Sequence, residues 1–97
     1  MITRIVKMTF IPEKVDSFLE VFNVSKHLIR NFDGCKGLKL LNDKNSPSIF
    51  FTYSIWENSE ALENYRNSEL FKSTWAKTKI LFAGKPEAYS TNAIFEE

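Results

Sequence analysis

The chain holds one cysteine (Cys35), one histidine (His27), three glycines and three prolines among its 97 residues. A lone cysteine excludes a disulfide framework and a zinc-ligand set. Three glycines are too few for phosphate-cradling loops. No P-loop, dinucleotide turn, Ser-His-Asp order or paired-carboxylate site stands out. No apolar run approaches the roughly 20 residues of a membrane span. The apolar part of "MITRIVKMTF" is also too short for a signal peptide. The expectation is a soluble, cytoplasmic protein with no membrane partner. Thirteen basic and twelve acidic residues are interleaved and leave a net charge of +1, so nothing resembles the footprint of a nucleic-acid binder.

What the chain has in surplus is aromatic side chains, 14% of all residues, nine of them Phe. Such side chains carry large burial areas and dominate cores and ligand cavities. With 43% hydrophobic and 26% charged residues the composition is globular rather than disordered, and residues 1–97 are expected to form a single domain.

Residues 2–10 alternate as a strand, with Ile2, Arg4, Val6, Met8 and Phe10 sharing one parity. Pro12 suits the first turn of a helix and Glu13 its positive end. From Glu13 to about Phe32 the period turns helical, with Val15, Phe18, Phe22, Ser25, Ile29 and Phe32 on one stripe. Asp33-Gly34 ends that helix. Residues 37–42 and 48–56 read as an antiparallel hairpin around the turn residues "DKNSP". Asn58-Ser59 suits the cap of a short helix over 60–66, and Ser68 that of another over 69–82, stopped by Gly84 and Pro86. Residues 87–95 form a candidate fourth strand.

The order β-α-β-β-α-β, with the second helix broken near Asn67-Ser68, predicts an α+β, ferredoxin-like sandwich: four antiparallel strands with the helices on one face. "SIFFTYSIW" carries bulk at both parities. Ile49, Phe51, Tyr53 and Ile55 take one side. Phe50 and Trp56 take the other, with Thr52 and Ser54 between them. Helices cover one face only, and an apolar patch on a central strand is unusual for a soluble monomer. The same face of a second copy is the simplest cover, which predicts a homodimer built as an α/β barrel. A terminal arm folding over the sheet is the alternative, with few residues to build it.

Over nearly the whole chain the sequence resembles the antibiotic biosynthesis monooxygenase family of dimeric α/β-barrel proteins. The resemblance rests on "RIVKMTFIPE" running into a helix, "FDGCKGLKLL" after it, "FFTYSIWENSEALENYRNSELF" across the third strand and short helix, and Trp75. It implies one of two chemistries in a cleft between sheet and helices. One is cofactor-free oxidation of polycyclic phenols to quinones, in which the substrate itself activates dioxygen. The other is haem degradation with a first-strand Asn, a short-helix Trp and a long-helix His. Those three positions carry Val6, Tyr65 and Trp75 here. An indole does not ligate iron as an imidazole does, so the expectation is no haem, no metal and no other cofactor.

The residues expected to bind a small aromatic molecule are Trp75, Tyr65, Phe71, Phe22 and Trp56. The plainer reading of an aromatic stripe at helical spacing is core. Tyr and Trp, however, bring polar tips that want partners. Trp56 shares the parity of Phe50, and its side, cleft or dimer seam, stays open. His27 falls opposite the apolar stripe of its helix, which favours a solvent-facing residue over a general base. Arg66 and Lys72 read as surface charges, either of which could hold a phenolate oxygen. Cys35 reads as a half-buried structural thiol. No catalytic residue is assigned. The leading expectation is a homodimeric, cofactor-independent monooxygenase of aromatic or quinol-type molecules. The alternative is a non-catalytic binding or stress-response module using the same cleft.

Overall fold

The strands' alternation settles how the layers stack. The computed structural model describes residues 1–97. Strands β1 (Ile2–Thr9), β2 (Cys35–Asn42), β3 (Ile49–Trp56) and β4 (Glu87–Thr91) form one antiparallel sheet in the order β2-β3-β1-β4. Helix α1 (Val15–Arg30) joins β1 to β2 after a 3-10 turn at Pro12–Lys14. Helices α2 (Ser59–Arg66) and α3 (Glu69–Lys79) join β3 to β4. This is the ferredoxin-like arrangement expected from the order of elements.

Register puts whole sets of residues on one side. Val6 opposes Thr52, Met8 opposes Phe50 and Arg4 opposes Ser54, so all six share a face. Leu38 and Leu40 of β2 and Ala88 and Ser90 of β4 join it through their own pairings. The helices lie on this face, where Met8, Phe50, Ser54 and Trp56 are buried. The opposite face has no cover. Ile5, Phe51, Tyr53 and Ile55 stand half-buried there and Leu41 and Tyr89 exposed, rimmed by Lys7, Lys39 and Glu87.

Local chemistry sets the joints. Asn58 Oδ1 accepts the Ala61 amide at 2.8 Å, and Ser68 Oγ accepts the Phe71 amide at 3.1 Å. These two caps divide α2 from α3 where the sequence places the break. Gly34 turns the chain into β2 with φ +88, and a Cβ there would collide with the Ala61 side chain. Only glycine takes that conformation at so close an approach.

Several element ends differ from expectation, among them those of α1, which runs over Val15–Arg30 rather than 13 to about 32. Helix α3 stops at Lys79 rather than 82, ahead of Gly84 and Pro86. Leu81 and Ala83 instead bond the backbone around the end of β1 (Ile11 amide to Leu81 carbonyl 3.0 Å, Ala83 amide to Thr9 carbonyl 2.8 Å). Tertiary pairing wins over helical period there. Strand β4 ends at Thr91 rather than 95, where its pairing with β1 stops at Thr3. Ile94 and Phe95 beyond it are exposed. Strand β2 begins at Cys35, two residues early, with a register shift between Cys35 and Gly37.

The core is divided. One buried cluster holds Met8, Phe10, Phe18, Phe50 and Leu81. A second holds Cys35, Trp56, Ala61 and Leu62, with Phe32 and Tyr65 packed on it.

Candidate functional site

Between the two clusters the sheet carries short side chains. Thr52, Ser54 and Ala88 sit where Phe50 and Trp56 would otherwise be continuous, so the helices cannot close down on the floor. The space left is a cleft of about 310 Å³. That lies at the small end of the range for ligand pockets. Helix α1 contributes Phe18, Phe22 and Ile29 to its wall. Tyr65 and Arg66 come from α2, and Phe71, Thr74 and Trp75 from α3.

All five residues singled out from the sequence, Phe22, Trp56, Tyr65, Phe71 and Trp75, line this one cleft. Trp56 is on the cleft side of the sheet and fully buried. Its Nε1 donates to Ser54 Oγ at 2.9 Å, so its polar tip is satisfied inside the protein. Its ring stacks on Tyr65 with centroids 4.7 Å apart. An aromatic arc continues from there: Tyr65 to Phe71 at 5.3 Å and Phe71 to Trp75 at 5.9 Å. Phe22 faces the arc from α1, tilted against Phe18.

Tyr65 and Trp75 differ from Trp56 in one respect. Neither the Tyr65 hydroxyl nor the Trp75 indole N–H takes part in a hydrogen bond within the protein, and no polar atom is sealed away without a partner. Both tips are therefore unpaired within the protein and accessible from outside it. Burial, with a smaller contribution from the nearby Cys35 thiol, pushes the Tyr65 phenol up to about 12. It is a neutral hydrogen-bond donor at ordinary pH, not a base.

The remaining polar lining is Arg4, Arg66 and the hydroxyls of Thr52, Ser54, Thr74 and Thr78; no carboxylate, imidazole or thiol borders the cleft. Arg66, read from the sequence as a surface charge that could also hold a phenolate oxygen, is exposed and borders the cleft. Lys72 is exposed and does not border it. Sequence reasoning passed over Arg4, although its parity with Val6 and Met8 was the signal that it faces inward. It also passed over the floor, whose signal was the pair of small residues between Phe50 and Trp56. His27 is exposed on α1 and Cys35 is buried, its Sγ donating weakly to the Gly37 carbonyl at 3.5 Å. No three His, Cys, Asp or Glu side chains converge on a common point.

The sequence profile described as antibiotic biosynthesis monooxygenase matches residues 1–77. The chain belongs to the antibiotic biosynthesis monooxygenase family. Solved structures agree in fold. A crystal structure of an antibiotic biosynthesis monooxygenase superposes with a TM-score of 0.91 at 19% identity, covering 97% of this chain and 99% of that one. A candidate antibiotic biosynthesis monooxygenase from Nitrosomonas europaea gives 0.90 at 13% identity, over 98% and 100% of the two chains. A further candidate, from Caulobacter crescentus CB15, gives 0.87 at 21% identity, over 97% and 90%. No curated protein matches the chain in sequence. At these identities the structures speak for the fold alone.

The residues present do not fit a haem held in the way some relatives hold it. No imidazole, thiol or carboxylate lines the cleft, and the one imidazole, His27, is exposed and borders no part of it. No helix is long and apolar enough to cross a membrane.

Proposed function

We propose that this protein is a cofactor-independent monooxygenase acting on an aromatic or quinol-type small molecule held between the sheet and the helices. The observation that carries the reading is the aromatic cleft of about 310 Å³ in a chain of this family, lined by Tyr65 and Trp75, whose polar tips have no partner within the protein. A flat ring stacks against the arc of Tyr65, Phe71 and Trp75, with Phe22 opposite. The Tyr65 hydroxyl, kept protonated by its burial, donates to a ring oxygen.

The lining offers no side chain suited to removing a proton at neutral pH. The substrate must therefore supply its own acidity, as an anthrone-type CH₂ flanked by aromatic rings does once its enolate forms. That carbanion gives an electron to dioxygen, and the two radicals join in a C–O bond. The resulting hydroperoxide loses water to leave a carbonyl. One oxygen atom ends in the quinone and the other in water, so the carbon is oxidised and dioxygen reduced without another electron source.

The open sheet face, apolar in the middle and charged at its rim, supports pairing of two copies face to face. Sedimentation at micromolar concentration showing only an 11.3 kDa particle would remove the dimer. The activity is tested with anthrone in oxygenated buffer. The native protein accelerates formation of the quinone, and Trp75→Ala and Tyr65→Phe each lower the rate at least about tenfold. A rate equal to that in buffer overturns the reading. The second reading, a non-catalytic binding module, is favoured by the lack of any acid–base pair in the lining; ligand binding without turnover would establish it.

A further inference from the structure

We propose that the cleft selects planar ligands carrying an anionic oxygen group, and that Arg4 and Arg66 are the residues that read the charge. This rests on the cleft being a site for an aromatic molecule and adds the chemical class of what it holds.

Arg4 lies on β1, on the sheet face turned to the helices, directly opposite Ser54 on one side and Ser90 on the other. It is half-buried. Of its five N–H donors the one used within the protein goes to Ser90 Oγ, at 2.9 Å, a neutral acceptor. No carboxylate lies within ion-pair distance of it; the two ion pairs of the protein are Lys7 with Glu87 and Arg66 with Glu63. Arg66 ends α2 and borders the same cleft. Its contact with Glu63 is 3.8 Å, too long for a hydrogen bond and largely exposed.

Two arginines thus border one cleft, and between them they have a single acidic partner, Glu63, 3.8 Å from Arg66. Burial and then the Arg66 charge lower the Arg4 pKa, while Glu63 opposes the shift in part. Holding like charges together in a partly desolvated place is costly unless an anion joins them. A carboxylate or phenolate at the rim of a flat ligand does so with charge-assisted, bidentate geometry. The rest of the wall is aromatic, so the ligand that fits has one charged edge and an apolar body.

Each arginine has a plainer use. Arg4 pins the edge strand β4 through Ser90, and Arg66 complements the negative end of α2. Neither use needs a guanidinium. A neutral donor would hold Ser90, and a helix end needs no charge inside a cleft.

The experiment follows Trp fluorescence as 2-naphthoate, 2-naphthol or the neutral 2-naphthalenemethanol is added to the native protein and to Arg4→Gln, Arg66→Gln and Lys72→Gln. Thermal melting of each variant checks that it folds. The expected result is naphthoate bound at least about tenfold tighter than the alcohol. That preference collapses in either arginine variant and survives in Lys72→Gln. Naphthol whose affinity rises only as it ionises, with naphthoate no tighter than the alcohol, supports the same pair of arginines reading a phenolate rather than a carboxylate. Equal affinity for charged and neutral probes overturns the charge preference while leaving the aromatic cleft standing. A preference that survives in both arginine variants overturns it too. No binding of any probe overturns the cleft reading as well.

Discussion

The two ends of the sheet–helix layer are built from the same kind of side chain and behave differently. At one end Phe10 is fully buried and meets Phe18 at 4.1 Å, Phe82 at 5.3 Å and Phe50 at 5.9 Å. These rings fill one another's space, although Phe18 also borders the cleft. At the other end Trp56 is equally buried, but the rings that continue from it, Tyr65, Phe71 and Trp75, are only half-covered and carry free polar tips. Between the ends lie Thr52 and Ser54. Whether an aromatic residue becomes core or cleft wall is decided here by the size of what opposes it across the layer. Filling rings make core, and short neighbours leave a wall.

The sharpest way to break this comparison is truncation at each end. Phe10→Ala removes a ring with no solvent contact, and the denaturant midpoint is expected to fall by the equivalent of about 3–5 kcal/mol. Trp75→Ala, on a wall already open, is expected to cost about 1–2 kcal/mol while abolishing aromatic binding. Equal losses at the two sites would erase the distinction between core and wall.

An effect smaller than that of Phe10→Ala comes from pH. Burial raises the Tyr65 phenol from 10.0 to about 12 in the folded protein. The unfolded chain therefore releases that proton first. The contribution to stability is complete below pH 10 and is lost as pH climbs to about 12, some 2–3 kcal/mol in all. Denaturation of native protein and of Tyr65→Phe across that window checks it, since only the native curve should bend for this reason. The smallest stability effect belongs to Thr52→Leu, which raises the floor of the cleft. Its cost is expected to stay within about 1.5 kcal/mol, with naphthalene-type ligands weakened at least tenfold. Unchanged binding would mean that the floor does not shape the site.

The strand "SIFFTYSIW" shows how far reading the chain could go. Its two parities follow from alternation alone, but which of them the helices cover does not; the structure places Phe50 and Trp56 on the covered side and Phe51, Tyr53 and Ile55 on the other. The helical stripe of Phe18, Phe22 and Ile29 and the caps at Asn58 and Ser68 were equally legible, being local chemistry. The end of α3 was not, because Leu81 and Ala83 are claimed by backbone far away in sequence. Arg66 looked like a surface charge because helical position gives a direction but not the distance to the facing sheet. Arg4 was overlooked for a related reason: an inward parity does not reveal whether a packed neighbour or an opening awaits it.

The chain's own pattern of periods, caps and turn residues determined the order of elements, the face each strand presents and the stripe each helix buries. These are short-range matters of backbone geometry and hydrogen bonding. Only the folded arrangement decided that the core divides into two clusters, that six aromatic residues from four elements border a single cleft, and that two arginines border it. Spaces arise from the distances between surfaces, and those distances depend on all the side chains packed around them at once.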